Sequence, residues 1–186
     1  PSRDSAYVPR YSARELASAL AQQAPASVDV GVAPSDAYLG AVSEALSGSA
    51  VGLGGQEMHW EPSGAFTGAT SPVQLKELGC RYVLIGHSER RQLFGETDEG
   101  VARKARAAHD HKLTPVLCIG ETLEEREAGE TLSVVTRQLN AALSLLSPEE
   151  VSVSVIAYEP VWAIGTGKTA TPEQAQEVHS ALRARL

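Results

Sequence analysis

The chain has 186 residues, 42% of them hydrophobic, and a formal net charge of -7. That length and apolar content support one sizeable core, read as a single domain over residues 1–186. The acidic balance argues against a nucleic-acid partner, which needs a basic face, and no apolar run approaches the roughly 18 to 20 residues that cross a bilayer.

The opening PSRDSAYVPR has no apolar core and does not read as a signal peptide. A helix is expected over Ser12 to Ala24, with Ser12 as N-cap and Glu15 completing a capping box. Val28 to Ala33 reads as a strand, Asp36 to Leu46 as a helix, and Val51 to Gly55 as a short glycine-rich strand. Ser71-Pro72 opens a helix that runs to about Leu78. RYVLIG, Arg81 to Gly86, is the clearest buried strand, followed by a helix over Thr97 to His111 and a strand over Pro115 to Gly120. EEREAGE, Glu124 to Glu130, reads as the capped entry to a helix over Thr131 to Leu146. Val151 to Pro160 is taken as a strand, and Thr171-Pro172 starts a last helix.

Short apolar strands alternating with amphipathic helices mean an α/β fold with a parallel sheet and helical crossovers. An open doubly wound sheet and a (β/α)8 barrel both fit. A G-x-G-x-x-G turn after the first strand is missing, which lowers the dinucleotide-binding reading. Cys80 and Cys118 sit among apolar neighbours and read as reduced, buried thiols, which fits a cytoplasmic protein.

Polar groups gather after strand ends: Gln56, His87 to Arg91, Glu121 and Glu159. In GHSERR, a histidine directly after a buried strand would be opposed in its protonation by the amides of a helical turn starting there. A neutral imidazole can then donate to a carbonyl or enolate oxygen. The alternative is a structural ion-pair knot of Glu89, Arg90 and Arg91. In AYEPVWAIGTGKT, Glu159 ends an apolar strand and Pro160 stops further pairing. Trp162, Ala163 and Ile164 lie between that proline and Gly165 and Gly167, as a lid that excludes water would require. Partial desolvation would strengthen Glu159 as a base; a carboxylate capping the next helix is the alternative. GTGKT is not a P-loop, because Trp162 stands where that motif needs its first glycine. His59, His109, His111 and His179 lack ligand spacing, so no metal site is expected.

GHSERR together with YEPVWAIGTGK resembles the triosephosphate isomerase family. GAFTG (Gly64 to Gly68), FGETDE (Phe94 to Glu99), CIGE (Cys118 to Glu121) and TATPEQAQEVH (Thr169 to His179) support the resemblance, in the family's order. It implies a (β/α)8 TIM barrel, of which strands two to six and helices one to six are recognisable. It also implies interconversion of dihydroxyacetone phosphate and glyceraldehyde 3-phosphate through an enediolate, with no cofactor and no metal. By position, His87 matches the electrophile, Glu159 the base, and Glu89 the glutamate near the family's lysine. The resemblance makes Pro160, Val161, Trp162, Ala163, Ile164, Gly165, Thr166, Gly167, Lys168, Thr169 and Ala170 the lid. The Gly165 amide would bind substrate phosphate. Thr67 would reach into the partner of a homodimer, and Cys118 would lie beside the base.

The family's first strand, which carries an asparagine and a lysine, has no counterpart before Ser12, and the first lysine here is Lys76. The last two strands, with phosphate-binding amides, also lack counterparts before Leu186. The polypeptide by itself is therefore expected to be inactive or nearly so. The rival expectation is a non-catalytic barrel remnant that only self-associates or binds sugar phosphate.

Overall fold

The computed structural model describes residues 10–164 and 167–186. Its parallel strands and crossover helices form two compact units. One takes the chain up to Leu84 together with Ala107–Pro115; the other takes Ile85–Arg106 and Val116–Leu186.

In the first unit, α1 (Arg10–Gln23) packs on α2 (Leu39–Leu46), and β1 (Gly31–Val32) pairs in parallel with β2 (Gly52–Gly55). β2 in turn pairs in parallel with β3 (Tyr82–Ile85), with Gly54 opposite Tyr82 and Gly55 opposite Val83. The glycines of β2 are explained by close approach. A Cβ on Gly52 would lie 2.3 Å from Cε2 of Tyr82, and one on Gly55 would lie 2.9 Å from the Leu75 methyls. α3 (Pro72–Glu77) brings Leu75 to that face through a full capping box between Ser71 and Gln74, with Pro72 in the first turn.

In the second unit, β4 (Thr114–Ile119), from Val116 on, runs parallel to β5 (Val155–Tyr158), with Val116 opposite Val155 and Ile119 opposite Tyr158. α7 (Thr131–Leu143) and α9 (Pro172–Arg183) pack against each other. Ile119, Val135, Leu139, Val178 and Leu182 form the core there, with Ile156 and Tyr158 against it. The short α4 (Ser88–Phe94) and α6 (Leu123–Glu127) follow β3 and β4, and α5 (Asp98–Asp110) follows α4. The whole is the βα alternation of an incomplete (β/α)8 barrel.

Several expected boundaries shift for physical reasons. The first helix begins at Arg10, so Ser12 lies inside it and is not its cap. The strand expected over Val28 to Ala33 is only Gly31–Val32, and the helix expected from Asp36 opens as a 3-10 turn, Asp36–Tyr38. The strand expected over Val151 to Pro160 is only Val155–Tyr158: its first two residues belong to α8 (Pro148–Ser152), where the capping box of Ser147 and Glu150, with Pro148 in the first turn, overrides the V-S-V-S-V alternation. The segment expected as the capped entry to α7 instead lies mostly in a short helix of its own, α6, closed by a capping box of Thr122 and Glu125, while α7 starts after Glu130 without a side-chain cap.

Candidate active site

Everything that surrounds His87 is set by how β3 ends. Gly86 turns the chain with φ of 78°, a left-handed conformation that glycine adopts without penalty. His87 then becomes the N-cap of α4, and its Nδ1 accepts the amide of Glu89 at 3.3 Å. A nitrogen that accepts an amide hydrogen carries none itself. The ring hydrogen of the neutral imidazole is therefore on Nε2. Two residues of the GHSERR cluster hold this turn in place. Arg91 donates from Nε to the Gly86 carbonyl at 2.8 Å and pairs with Asp98 at 2.7 Å. Arg90 pairs with Glu96 at 3.5 Å. The two arginines thus act structurally, through Glu96 and Asp98 and not through Glu89, and they leave the His87 ring free of them.

Glu159 follows the end of β5, its amide donating to the Ile119 carbonyl at 2.8 Å. Its Oε1 lies 3.1 Å from His87 Nε2, and its Oε2 accepts the Ser88 amide at 3.3 Å. Glu159 does not cap the turn that follows it, Val161–Ala163, which has no side-chain cap. Burial pushes the Glu159 carboxyl up. The hydrogen bonds from His87 and Ser88 outweigh it, and the net shift is downward. This corrects the expectation of a base strengthened by desolvation: in this arrangement hydrogen bonding wins. For His87, the hydrogen bond to Glu159 is the largest influence and raises its pKa above the ordinary value, against the opposing pull of burial.

Glu89 sits apart from this contact. Its carboxylate is exposed, with Oε2 3.9 Å from His87 Nδ1. Cys118 is a free, buried thiol, as is Cys80. Among the described residues, no cluster of His, Cys, Asp and Glu is gathered to hold a metal ion.

The segment after Glu159 is anchored, not merely hinged. Trp162 is buried, and its Nε1 donates to Glu121 Oε1 at 2.9 Å. Arg126 stacks its guanidinium 4.6 Å from the indole centroid. Val161 and Ala163 complete the turn, Ile164 is exposed, and Lys168 pairs with Glu127 at 3.6 Å. Gly167 has φ of 75°. Gly165, expected to bind phosphate, and Thr166 lie outside the described residues.

Thr67 lies on an exposed loop of the other unit. There Phe66 is exposed and stacks on His59 at a centroid distance of 3.9 Å.

The sequence model of one protein family, triosephosphate isomerase, matches residues 6–186. The chain belongs to the triosephosphate isomerase family. It is 61% identical over 156 residues to a protein of Pelobacter propionicus named triosephosphate isomerase, covering 84% of this chain and 62% of that one. A protein of the same name from Paracidovorax citrulli is 58% identical over 160 residues, 86% of this chain and 63% of its own. One from Pseudomonas putida is 52% identical over 179 residues, 95% and 71% respectively. The chain thus spans about three fifths of the length of the first two relatives.

Within this triosephosphate isomerase family chain, Ser88 and Glu121 were placed after strand ends by the sequence but were given no role there. Ser88 supplies a backbone amide to Glu159, which no side-chain pattern can announce. Glu121 is fully buried and accepts from Arg126 at 2.9 Å, from Tyr158 at 3.0 Å and from Trp162. Its signal was a carboxylate following the apolar strand CIG, with Arg126 five residues on.

Proposed function

We propose that the protein interconverts dihydroxyacetone phosphate and glyceraldehyde 3-phosphate by proton transfer through an enediolate. The observation that carries this reading is the 3.1 Å contact between His87 Nε2 and Glu159 Oε1, one from each of two strand ends. Membership of a family whose relatives are named for that reaction supports it.

In the proposed cycle the substrate replaces the contact between the two side chains. Glu159 leaves the Ser88 amide and His87, and burial then acts unopposed to raise its basicity. It takes a proton from the carbon beside the carbonyl and returns it to the neighbouring carbon. His87 Nε2 donates to the oxygens on which negative charge develops. With Glu159 withdrawn, the largest influence raising its pKa is gone, burial acts to lower it against the remaining charge of Glu89, and the Glu89 amide on Nδ1 favours the uncharged ring. The Glu89 carboxylate, exposed beside the ring, is assigned to hold a cation near the site. Residues Pro160 to Ala170 form the lid, and the Gly165 amide is assigned to the substrate phosphate.

A homodimer joined through the loop around Thr67 fits the exposed, stacked Phe66 beside it. A cytoplasmic setting fits the two free thiols. No described helix is long and apolar enough to cross a membrane.

The test is an isomerase assay coupled to a dehydrogenase, on the 186-residue polypeptide and on the full gene product. The full gene product should turn over, and Glu159→Asp should lose orders of magnitude in kcat with a smaller change in KM. Sugar-phosphate binding without turnover would favour the non-catalytic reading instead.

A further inference from the structure

We propose that Gln138 is a positioning residue for Glu159, acting through the peptide groups of Gly120. For its effect on turnover this rests on the isomerase reading; for its effect on geometry it does not.

α7 buries Val134, Val135, Gln138, Leu139 and Ala142, and Gln138 is the polar member of that face, 6% exposed. Its neighbours Val135 and Leu139 belong to the apolar core around Ile119. An aliphatic residue would pack there without the cost of burying an amide. The carboxamide instead spans a single residue. The Gly120 N–H donates to Oε1 at 2.8 Å, and Nε2 donates to the Gly120 carbonyl at 3.1 Å. The orientation of the amide is unambiguous, since an N–H can only donate and a carbonyl can only accept. One side chain thus satisfies both backbone groups of the residue just beyond β4.

That residue is the surface against which Glu159 rests. A Cβ at position 120 would lie 1.7 Å from the Glu159 carbonyl oxygen, so only glycine allows the approach. The Glu159 amide is already bonded to the preceding residue, Ile119. Any tilt of the Gly120 peptide therefore moves the Glu159 backbone, and with it a carboxylate that must meet His87 Nε2 and the Ser88 amide together. Gln138 removes that freedom from a distance, touching no reacting atom.

Two variants in the full gene product test this. Gln138→Leu keeps the bulk and deletes both hydrogen bonds. Gln138→Glu keeps the acceptor, but its second oxygen bonds the Gly120 carbonyl only while the acid is protonated. Each folded variant is followed by its His87 ring titration in NMR and by kcat and KM. In Gln138→Leu the His87 titration should fall back toward 6.5, the ordinary value from which Glu159 raises it. Its kcat should drop at least about tenfold with KM changed less than about twofold, as misplacement of a base requires. Gln138→Glu should lose activity over the pH range in which its new carboxyl ionises, a loss absent from the native protein. If Gln138→Leu fails to fold, that pH-dependent loss in Gln138→Glu decides. Native kcat and an unmoved His87 titration in the variants that fold would overturn the proposal. If the native protein shows no turnover, the isomerase reading falls, and the His87 titration still decides on Gln138.

Discussion

The indole N–H of Trp162 donates to a Glu121 oxygen across 2.9 Å, and that carboxylate has no exposure to water. A buried charge is tolerated only when its acceptor sites are filled. Arg126, Tyr158 and Trp162 fill them, and Thr131 adds a longer contact at 3.4 Å. One carboxylate thereby ties the turn Val161–Ala163 to β5, to α6 and to the end of β4.

Glu121→Ala should be costly, because it leaves Arg126, Tyr158 and Trp162 facing an empty space. Breaking a buried pair of this kind costs roughly 3–5 kcal/mol. Equilibrium unfolding in urea checks this, and a loss under about 1 kcal/mol would show that the network is not holding the segment.

The contact between His87 and Glu159 makes stability depend on pH in a defined window. Glu159 is depressed below its ordinary 4.5, so its ionised form stabilises the fold above that pH, and the contribution disappears as pH falls through the depressed value. His87 is raised above its ordinary 6.5, so its protonated form stabilises below that pH, and the contribution is lost as pH rises through the raised value. Both charges are present together between 4.5 and 6.5. The Tm advantage of the native protein over His87→Gln should therefore be greatest there and shrink above it. A difference that is constant from acid to alkaline pH would contradict the assigned contact.

The thiols give an alkaline counterpart. Burial, aided by the Glu159 charge, pushes Cys118 up to about 12, and burial, aided by Asp36, pushes Cys80 up to about 11. Neither should react with a disulfide reagent near pH 8 in the folded protein, and both should react once it unfolds. Raised thiol values mean that the folded state holds its protons longer. Stability should thus fall as pH rises from the ordinary 9.0 through these values. Cys118→Ala should flatten that fall; an unchanged slope would place the alkaline loss elsewhere.

What the sequence announced was whatever is written locally. GHSERR after a buried strand and a glutamate before Pro160 are contiguous signals, and the structure brings His87 and Glu159 into contact. Element type was legible where one signal acts alone, as in β4 and α9. It failed where two compete, as at Val151 and Ser152, whose strand-like alternation yields to the capping box before them. Trp162 was legible as apolar but not as buried, because its partners come from Glu121 and Arg126, and only folding brings them to it. The Ser88 amide is a backbone group and has no sequence signature at all.

The central claim is that Glu159 moves a carbon-bound proton. The direct measurement is proton NMR of dihydroxyacetone phosphate incubated in D2O with the full gene product, native and Glu159→Gln. The native protein should place deuterium at the carbon beside the carbonyl and in the aldehyde product. Glu159→Gln should slow that exchange by orders of magnitude while still binding the sugar phosphate. Exchange at the native rate in Glu159→Gln would contradict the assignment.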